Sequence, residues 1–216
     1  MLTNYYTVNK DGGSHEIVIQ KSRFIGTIKR VETEEEAQSF IQEMKKKYHD
    51  ATHNCSAYII GEHDHIQKAN DDGEPSGTAG VPMLEVLKKQ NLKDTAVVVT
   101  RYFGGIKLGA GGLIRAYGSS TSEAIKAVGI IKRQLMKGIS ITVDYALLGK
   151  LENELRNSEH MLETIHYLEN IEFIVYVEDG LETAFQKWMT DLTNGQAVIQ
   201  AIGEKYVEIE VESTKE

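Results

Sequence analysis

Thr95-Ala-Val-Val-Val-Thr-Arg-Tyr-Phe-Gly-Gly-Ile-Lys-Leu-Gly-Ala-Gly-Gly-Leu113 contains a strand, a loop and the start of a helix in direct succession. Thr95–Tyr102 is apolar and β-branched without a polar alternate, the composition of a central strand covered on both faces. Gly109 to Val128 carries a helical stripe in which Leu113, Ala116, Tyr117, Ser120 and Ala124 face inward. Gly118, Ser119 and Ser120 add small residues that permit close packing. The loop between them, Gly104 to Gly112, offers backbone N–H groups at a helix N-terminus, where an anion such as phosphate is held well. Arg101, Lys107 and Arg115 supply the charge. The loop is not a Walker A motif, because Lys107 precedes the last glycines and no Ser or Thr follows it. Close helix–sheet packing that only glycine permits explains the same glycines, so the pattern is read as an anion site or as a packing device.

Upstream lies a second loop, Ala69-Asn-Asp-Asp-Gly-Glu-Pro-Ser-Gly-Thr-Ala-Gly-Val-Pro-Met83, which holds both prolines of the chain and three carboxylates, Asp71, Asp72 and Glu74. Clustered carboxylates can seat Mg²⁺ through oxygen ligands or serve as general acid and base. The same residues also fit backbone roles: Asp72-Gly73 is a turn dipeptide, Asp71 can cap, and Glu74 before Pro75 favours extended backbone. Ser76 and Thr78 extend the loop, and Thr78 is expected to cap a helix from Ala79 to Gln90 in which Met83, Leu84 and Leu87 form the stripe.

Further out, Glu16–Gln20 and Arg23–Val31 read as strands separated by Lys21-Ser22, and Asn54–Ile60 and Ile66–Ala69 as two more. Glu34–Lys47 is an amphipathic helix, with Ala37, Phe40, Ile41 and Met44 at helical spacing, Thr33 as N-cap and three glutamates in its first turn. After Ile131–Gly138, read as a junction, the pattern restarts. Ile139–Tyr145 is a strand, Leu147–Asn157 a helix, Thr164–Glu169 and Glu172–Glu178 strands, Leu181–Thr193 a helix ended by Asn194-Gly195, and Gln196–Ile202 a strand that can run on to Val211. That order, βαββαβ, is a ferredoxin-like unit. The fold class is therefore α+β in two domains, residues 1–137 and 138–216.

Charge divides the same way. Residues 1–137 hold 19 Lys and Arg against 16 Asp and Glu, and residues 138–216 hold 5 against 16, so the net charge of −8 comes from the C-terminal part. A nucleic-acid surface is expected on the N-terminal part. No apolar run approaches the roughly 18 residues that span a bilayer. The first residues lack the basic and apolar regions of a signal peptide, and the single Cys55 has no internal disulfide partner. A cytoplasmic protein with no membrane partner is expected. His53 and Cys55 alternate on one strand and can share a face, as a nucleophile and its base or as a buried small pair.

Four segments together resemble the IMPACT family, with the layout of its bacterial YigZ/YvyE-like members: Lys21-Ser-Arg-Phe24, Ala51-Thr-His-Asn-Cys-Ser-Ala-Tyr58, Asp71-Asp-Gly-Glu-Pro-Ser-Gly-Thr-Ala-Gly80 and Thr100–Leu113. The resemblance implies that the N-terminal domain is a two-layer α+β sandwich like RNase PH and domain IV of elongation factor G. It also implies that the C-terminal domain is like domain V of that factor. Eukaryotic members regulate translation, which implies a translation-associated role and an RNA, ribosome or translation-related protein partner. The expected function is non-catalytic binding of RNA or the ribosome through an N-terminal groove formed by Arg101, Tyr102, Phe103, Gly104, Gly105, Lys107, Gly111, Gly112 and Arg115. The acidic loop, Asp71, Asp72, Glu74, Ser76 and Thr78, would contribute binding groups, and His53 and Cys55 a second face. The alternatives are a phosphoester-processing enzyme in which Asp71, Asp72 and Glu74 hold Mg²⁺, and a protein–protein adaptor.

Overall fold

The protein is described here by a computed structural model over residues 1–211, so the last five residues of the expected C-terminal domain lie outside the described residues. Its elements in chain order begin with β1 (Asn4–Val8), β2 (Gly13–Ile19), β3 (Ser22–Arg30), α1 (Glu34–Lys47), β4 (His53–Ile60), β5 (Ile66–Asn70), α2 (Gly80–Lys89), β6 (Thr95–Tyr102) and α3 (Gly109–Val128). There follow β7 (Ile130–Val143), α4 (Leu148–Arg156), β8 (Met161–Tyr167), β9 (Ile171–Glu178), α5 (Glu182–Thr193) and β10 (Val198–Glu210). Two compact units result: Tyr5–Lys132 with residues 209–211, and Met1–Asn4 with Arg133–Glu208.

The first unit is a five-stranded sheet of order β2-β3-β6-β4-β5, with Thr95–Tyr102 central as its composition demands. Alternation along β6 divides its residues between two cores. Val97 and Val99, with Phe24, Ile28, Cys55, Ala57 and Ile59, pack under Met83 and Leu87 of α2 and Leu113, Ala116, Tyr117 and Ile125 of α3. Ala96 and Val98, with Tyr58 and Ile60, pack on the reverse face against Ala37, Phe40 and Met44 of α1. Burying both faces is why β6 has no polar alternate. The β2–β3 hairpin turns on Gln20-Lys21, both at positive φ (45° and 67°), the geometry of a two-residue type I′ turn.

In the second unit β10, β7, β9 and β8 lie side by side in that order, the arrangement of a βαββαβ ferredoxin-like fold. Its core joins Ile139, Ile141 and Val143 to Phe173, Val175 and Val177 of β9, Leu151 and Leu155 of α4, and Phe185 and Met189 of α5. Helix α5 ends on Asn194 in the left-handed conformation (φ 49°), followed by Gly195. The N-terminal residues tie into this unit, as Leu135 N–H donates to the Thr3 carbonyl and the Tyr206 hydroxyl to that of Leu2.

The segment Ile131–Gly138, expected as a junction, is continuous strand within β7, and the chain divides inside it, at Lys132/Arg133. Gly138 is no break. A Cβ there would lie 2.9 Å from Ile202 and 3.1 Å from the Tyr176 ring, so the glycine admits side chains from the neighbouring strands. Strand β1 is an element that the sequence pattern did not announce; Tyr5, Thr7 and Val8 are buried along it.

Candidate functional site

Register brings the distinctive segments to one end of the first sheet. Arg101, near the end of β6, is paired with Phe24 of β3 on one side and with His53 of β4 on the other. Alternation puts Arg101 on the same face as Val97 and Val99, under the helices, where a bare charge is costly. The acidic loop supplies its counterion. Arg101 Nη1 donates to Glu74 Oε1 at 2.5 Å, and both side chains are nearly inaccessible, 6% and 4% exposed. The Tyr117 hydroxyl of α3 donates to the same oxygen at 2.8 Å. The guanidinium also lies 5.4 Å from the Phe24 ring and 5.5 Å from the Phe103 ring. Burial first, then the Cys55 thiol and the Glu74 carboxylate, push the Tyr117 hydroxyl pKa up, so it remains a donor.

The three carboxylates of the acidic loop do different work. Asp71 accepts from the backbone N–H groups of Gly77, Ala79 and Gly80, and so caps α2 from a distance. Burial alone would raise its pKa; those three N–H groups outweigh it and hold the carboxyl below its ordinary value. Thr78, the expected cap, instead donates its hydroxyl to the Pro75 carbonyl, because Asp71 already occupies the helix end. Asp72 takes the Asn54 N–H of β4 at 2.7 Å and the Lys45 ammonium of α1 at 2.5 Å. Its backbone turns at φ 44° with Gly73 at 88°, and Glu74 N–H closes the turn on the Asp71 carbonyl. Glu74 alone turns into the core. Among the described residues no three His, Cys, Asp or Glu side chains converge as a metal set.

His53 and Cys55 share the helix-facing side of β4 but are not a catalytic pair. The Cys55 thiol donates to the Asp71 carbonyl at 2.9 Å. Burial, reinforced by the nearby carboxylates, pushes its pKa up to about 12, so the thiolate is disfavoured. His53 Nδ1 lies 2.8 Å from the Asp72 carbonyl. A carbonyl only accepts, so Nδ1 carries a proton and donates to it. His53 Nε2 lies 3.8 Å from Glu74 Oε2.

Above this network the two loops meet. A pocket of about 390 Å³ is lined by Thr52, His53, Glu74 and Pro75 on one side and by Arg101, Phe103, Lys107, Leu108, Gly109, Ala110 and Leu113 on the other. Phe103 is half exposed at its lip, and its N–H donates to the Thr52 hydroxyl. Helix α3 begins here with no side-chain cap and no acidic residue in its first turn. Lys107 and Arg115 are exposed and have no ion-pair partner among the described residues. The Arg115 guanidinium folds back to the first turn, 3.6 Å from where a Cβ on Gly111 would sit.

Other expected groove residues go elsewhere. Tyr102 lies on the opposite face of β6 from Arg101, its hydroxyl on Asp50 and its ring 5.2 Å from Arg23. Gly104 is a packing glycine: a Cβ there would stand 2.0 Å from the Lys21 backbone, and its N–H donates to the Ser22 hydroxyl. Gly105 has φ 86°, Gly111 and Gly112 form the first turn of α3, and Ser76 is exposed outside the pocket lining. Sequence reasoning did not select Phe24, Thr52 or Lys45, and took Tyr117 only as a packing residue. An inward-facing hydroxyl on α3 was the available signal, since a buried phenol needs a partner.

Residues 20–125 match the family profile described as the Impact N-terminal domain, and residues 141–196 a domain of unknown function, DUF1949. The chain is also 62% identical to the IMPACT family member YvyE of Bacillus subtilis over 216 residues, covering 100% of this chain and 99% of the relative. The chain belongs to the IMPACT family. An IMPACT family member of Haemophilus influenzae is 35% identical over 91% of this chain and 97% of its own length. The Protein IMPACT homolog of Dictyostelium discoideum is 40% identical over 42% of this chain and 27% of its own length, so the likeness to that eukaryotic protein is confined to part of each. A crystal structure described as that of a hypothetical protein superposes with a TM-score of 0.60 at 27% identity, covering 94% of this chain and 98% of the other. The four segments that mark the family lie within the first profile; three of them line the pocket, and the fourth supplies Phe24, which packs against Arg101.

Proposed function

We propose that this IMPACT family protein is a non-catalytic, translation-associated binder of RNA or the ribosome, acting through the cleft between its acidic and glycine loops. One observation carries this reading: the loops line a single cleft at the uncapped N-terminus of α3, where Lys107 and the half-exposed ring of Phe103 are both in the lining, with Arg115 exposed outside the lining, against the first turn of the same helix. Free cations track phosphates, an uncapped helix N-terminus adds N–H donors, and an exposed ring stacks on unpaired bases. The eukaryotic members' role in regulating translation supports the same direction. The phosphoester-processing alternative lacks comparable support, because Asp71, Asp72 and Glu74 are directed to three different partners.

Binding of single-stranded RNA by the full chain, followed across a salt series, tests the proposal. Arg101 is neutralised by Glu74, which leaves two free cations. At ~0.7 counterions per phosphate the slope of log K against log salt should lie near about −1.4. No binding at low salt, with capture of a translation protein instead, would replace this reading with the adaptor.

A further inference from the structure

We infer that the pocket between the loops holds one nucleoside monophosphate group, with its base against Phe103 and its phosphate at the start of α3. This rests on the RNA reading above and goes further by naming what the pocket itself accepts. Its volume of about 390 Å³ falls in the roughly 300–1,000 Å³ range of small-ligand sites. The lining separates into three chemistries. Phe103, Pro75, Leu108 and Leu113 form an apolar slot with one exposed ring. Lys107 and the first N–H groups of α3 form a cationic end.

The floor is the decisive part. Glu74 Oε1 already accepts from Arg101 and Tyr117, while Oε2 accepts no hydrogen bond among the described residues. His53 Nε2 lies 3.8 Å from that oxygen. A carboxylate oxygen that accepts no hydrogen bond at the bottom of an apolar slot calls for a donor, and the amino edge of adenine, cytosine or guanine is one. Arg101 is 95% buried, lines the same pocket and has an Nε without a hydrogen-bond partner, so the floor is polar and incompletely satisfied as it stands. A base amino group over Glu74 Oε2, a ring on Phe103 and a phosphate by Lys107 engage all three parts with one ligand. The group can be a free nucleotide or an unstacked residue of single-stranded RNA.

Calorimetric titration of the full chain with inorganic phosphate, ribose 5-phosphate, AMP and a short adenine-rich RNA separates these cases. AMP should bind at least about fivefold more tightly than ribose 5-phosphate, the lower end of what a base–aromatic stack contributes. Phe103→Ala should remove that difference, Phe103→Tyr should restore it, and Lys107→Ala should weaken AMP and ribose 5-phosphate alike. RNA binding with AMP no tighter than ribose 5-phosphate, or RNA affinity unchanged by Phe103→Ala, overturns the nucleotide pocket and leaves the cleft reading standing. AMP binding without RNA binding keeps the pocket, as a site for a free nucleotide, and removes the cleft reading. Absence of all binding removes both.

Discussion

The acidic loop and the glycine loop enclose one pocket but treat their charges in opposite ways. Asp71, Asp72 and Glu74 are all engaged inside the protein, with backbone N–H groups, Lys45 and Arg101. Lys107 and Arg115 are left to solvent. Arg101 shows that position in the chain does not decide which kind a charge is. It belongs to the glycine-loop segment, yet strand alternation turns it under the helices, and there a carboxylate must meet it. The acidic residues therefore build the site and the basic residues are available to a ligand.

Removing Glu74 should test that contrast most severely. Glu74→Ala leaves the Arg101 guanidinium buried without its counterion and the Tyr117 hydroxyl without its acceptor. A loss of about 3–5 kcal/mol is expected in chemical denaturation, the range for breaking one side of a buried pair. Glu74→Gln, which keeps an acceptor, should lose less. A loss under ~1 kcal/mol for Glu74→Ala would mean that the pair is not structural.

Asp71→Ala should come next, at about 1–2 kcal/mol for a lost helix cap. Its pKa is lower in the folded state, so its contribution is present above the unfolded value and lost as pH falls through the folded one. The gap between wild type and variant should stay flat near neutrality and close as pH drops below the ordinary value of 3.8. A gap that persists unchanged in acid would show that the carboxylate charge is not what caps α2.

Cys55 offers a kinetic contrast. With its pKa raised to about 12, the thiol is protonated and buried in the native protein near pH 8. Alkylation by iodoacetamide should follow global unfolding, and rapid labelling of the native chain would refute the buried-thiol geometry. The raised pKa also stabilises the fold fully below the unfolded value, and that increment is lost as pH rises toward 12.

Smallest in stability, and largest in function, should be Lys107→Ala with Arg115→Ala. Exposed and unpaired, they should change stability by no more than about 0.5 kcal/mol, while the salt slope for RNA falls toward zero. If the double variant unfolds as readily as Glu74→Ala, the distinction between building and binding charges fails.

Much of this arrangement was legible in the chain. The apolar run of Thr95–Tyr102 forced a central strand, the stripe on Gly109–Val128 fixed the longest helix and its inward face, and βαββαβ order gave the second unit. These readings depend only on periods of two and 3.6 residues, which a sequence states locally. The segments that carry the site also stood out, because they gather charge, glycine and proline into two loops between apolar elements.

What the sequence could not assign was partnership, since partnership depends on which strands lie next to one another. Gly138 has the appearance of a break until Ile202 and Tyr176 arrive beside it. Thr78 looks like the cap until the Asp71 carboxylate, seven residues earlier in the chain, reaches the same N–H groups. Three carboxylates within four residues look like one cluster, but a turn with Asp72 at φ 44° and Gly73 at 88° points them at three different elements. Local periodicity determined the elements and the ends of the sheet where a site can form. Only the packing of β3, β6, β4 and α3 around Glu74 decided that Arg101 is structural, that Cys55 is inert and that Lys107 and Arg115 are free, because burial and pairing are properties of neighbours distant in sequence.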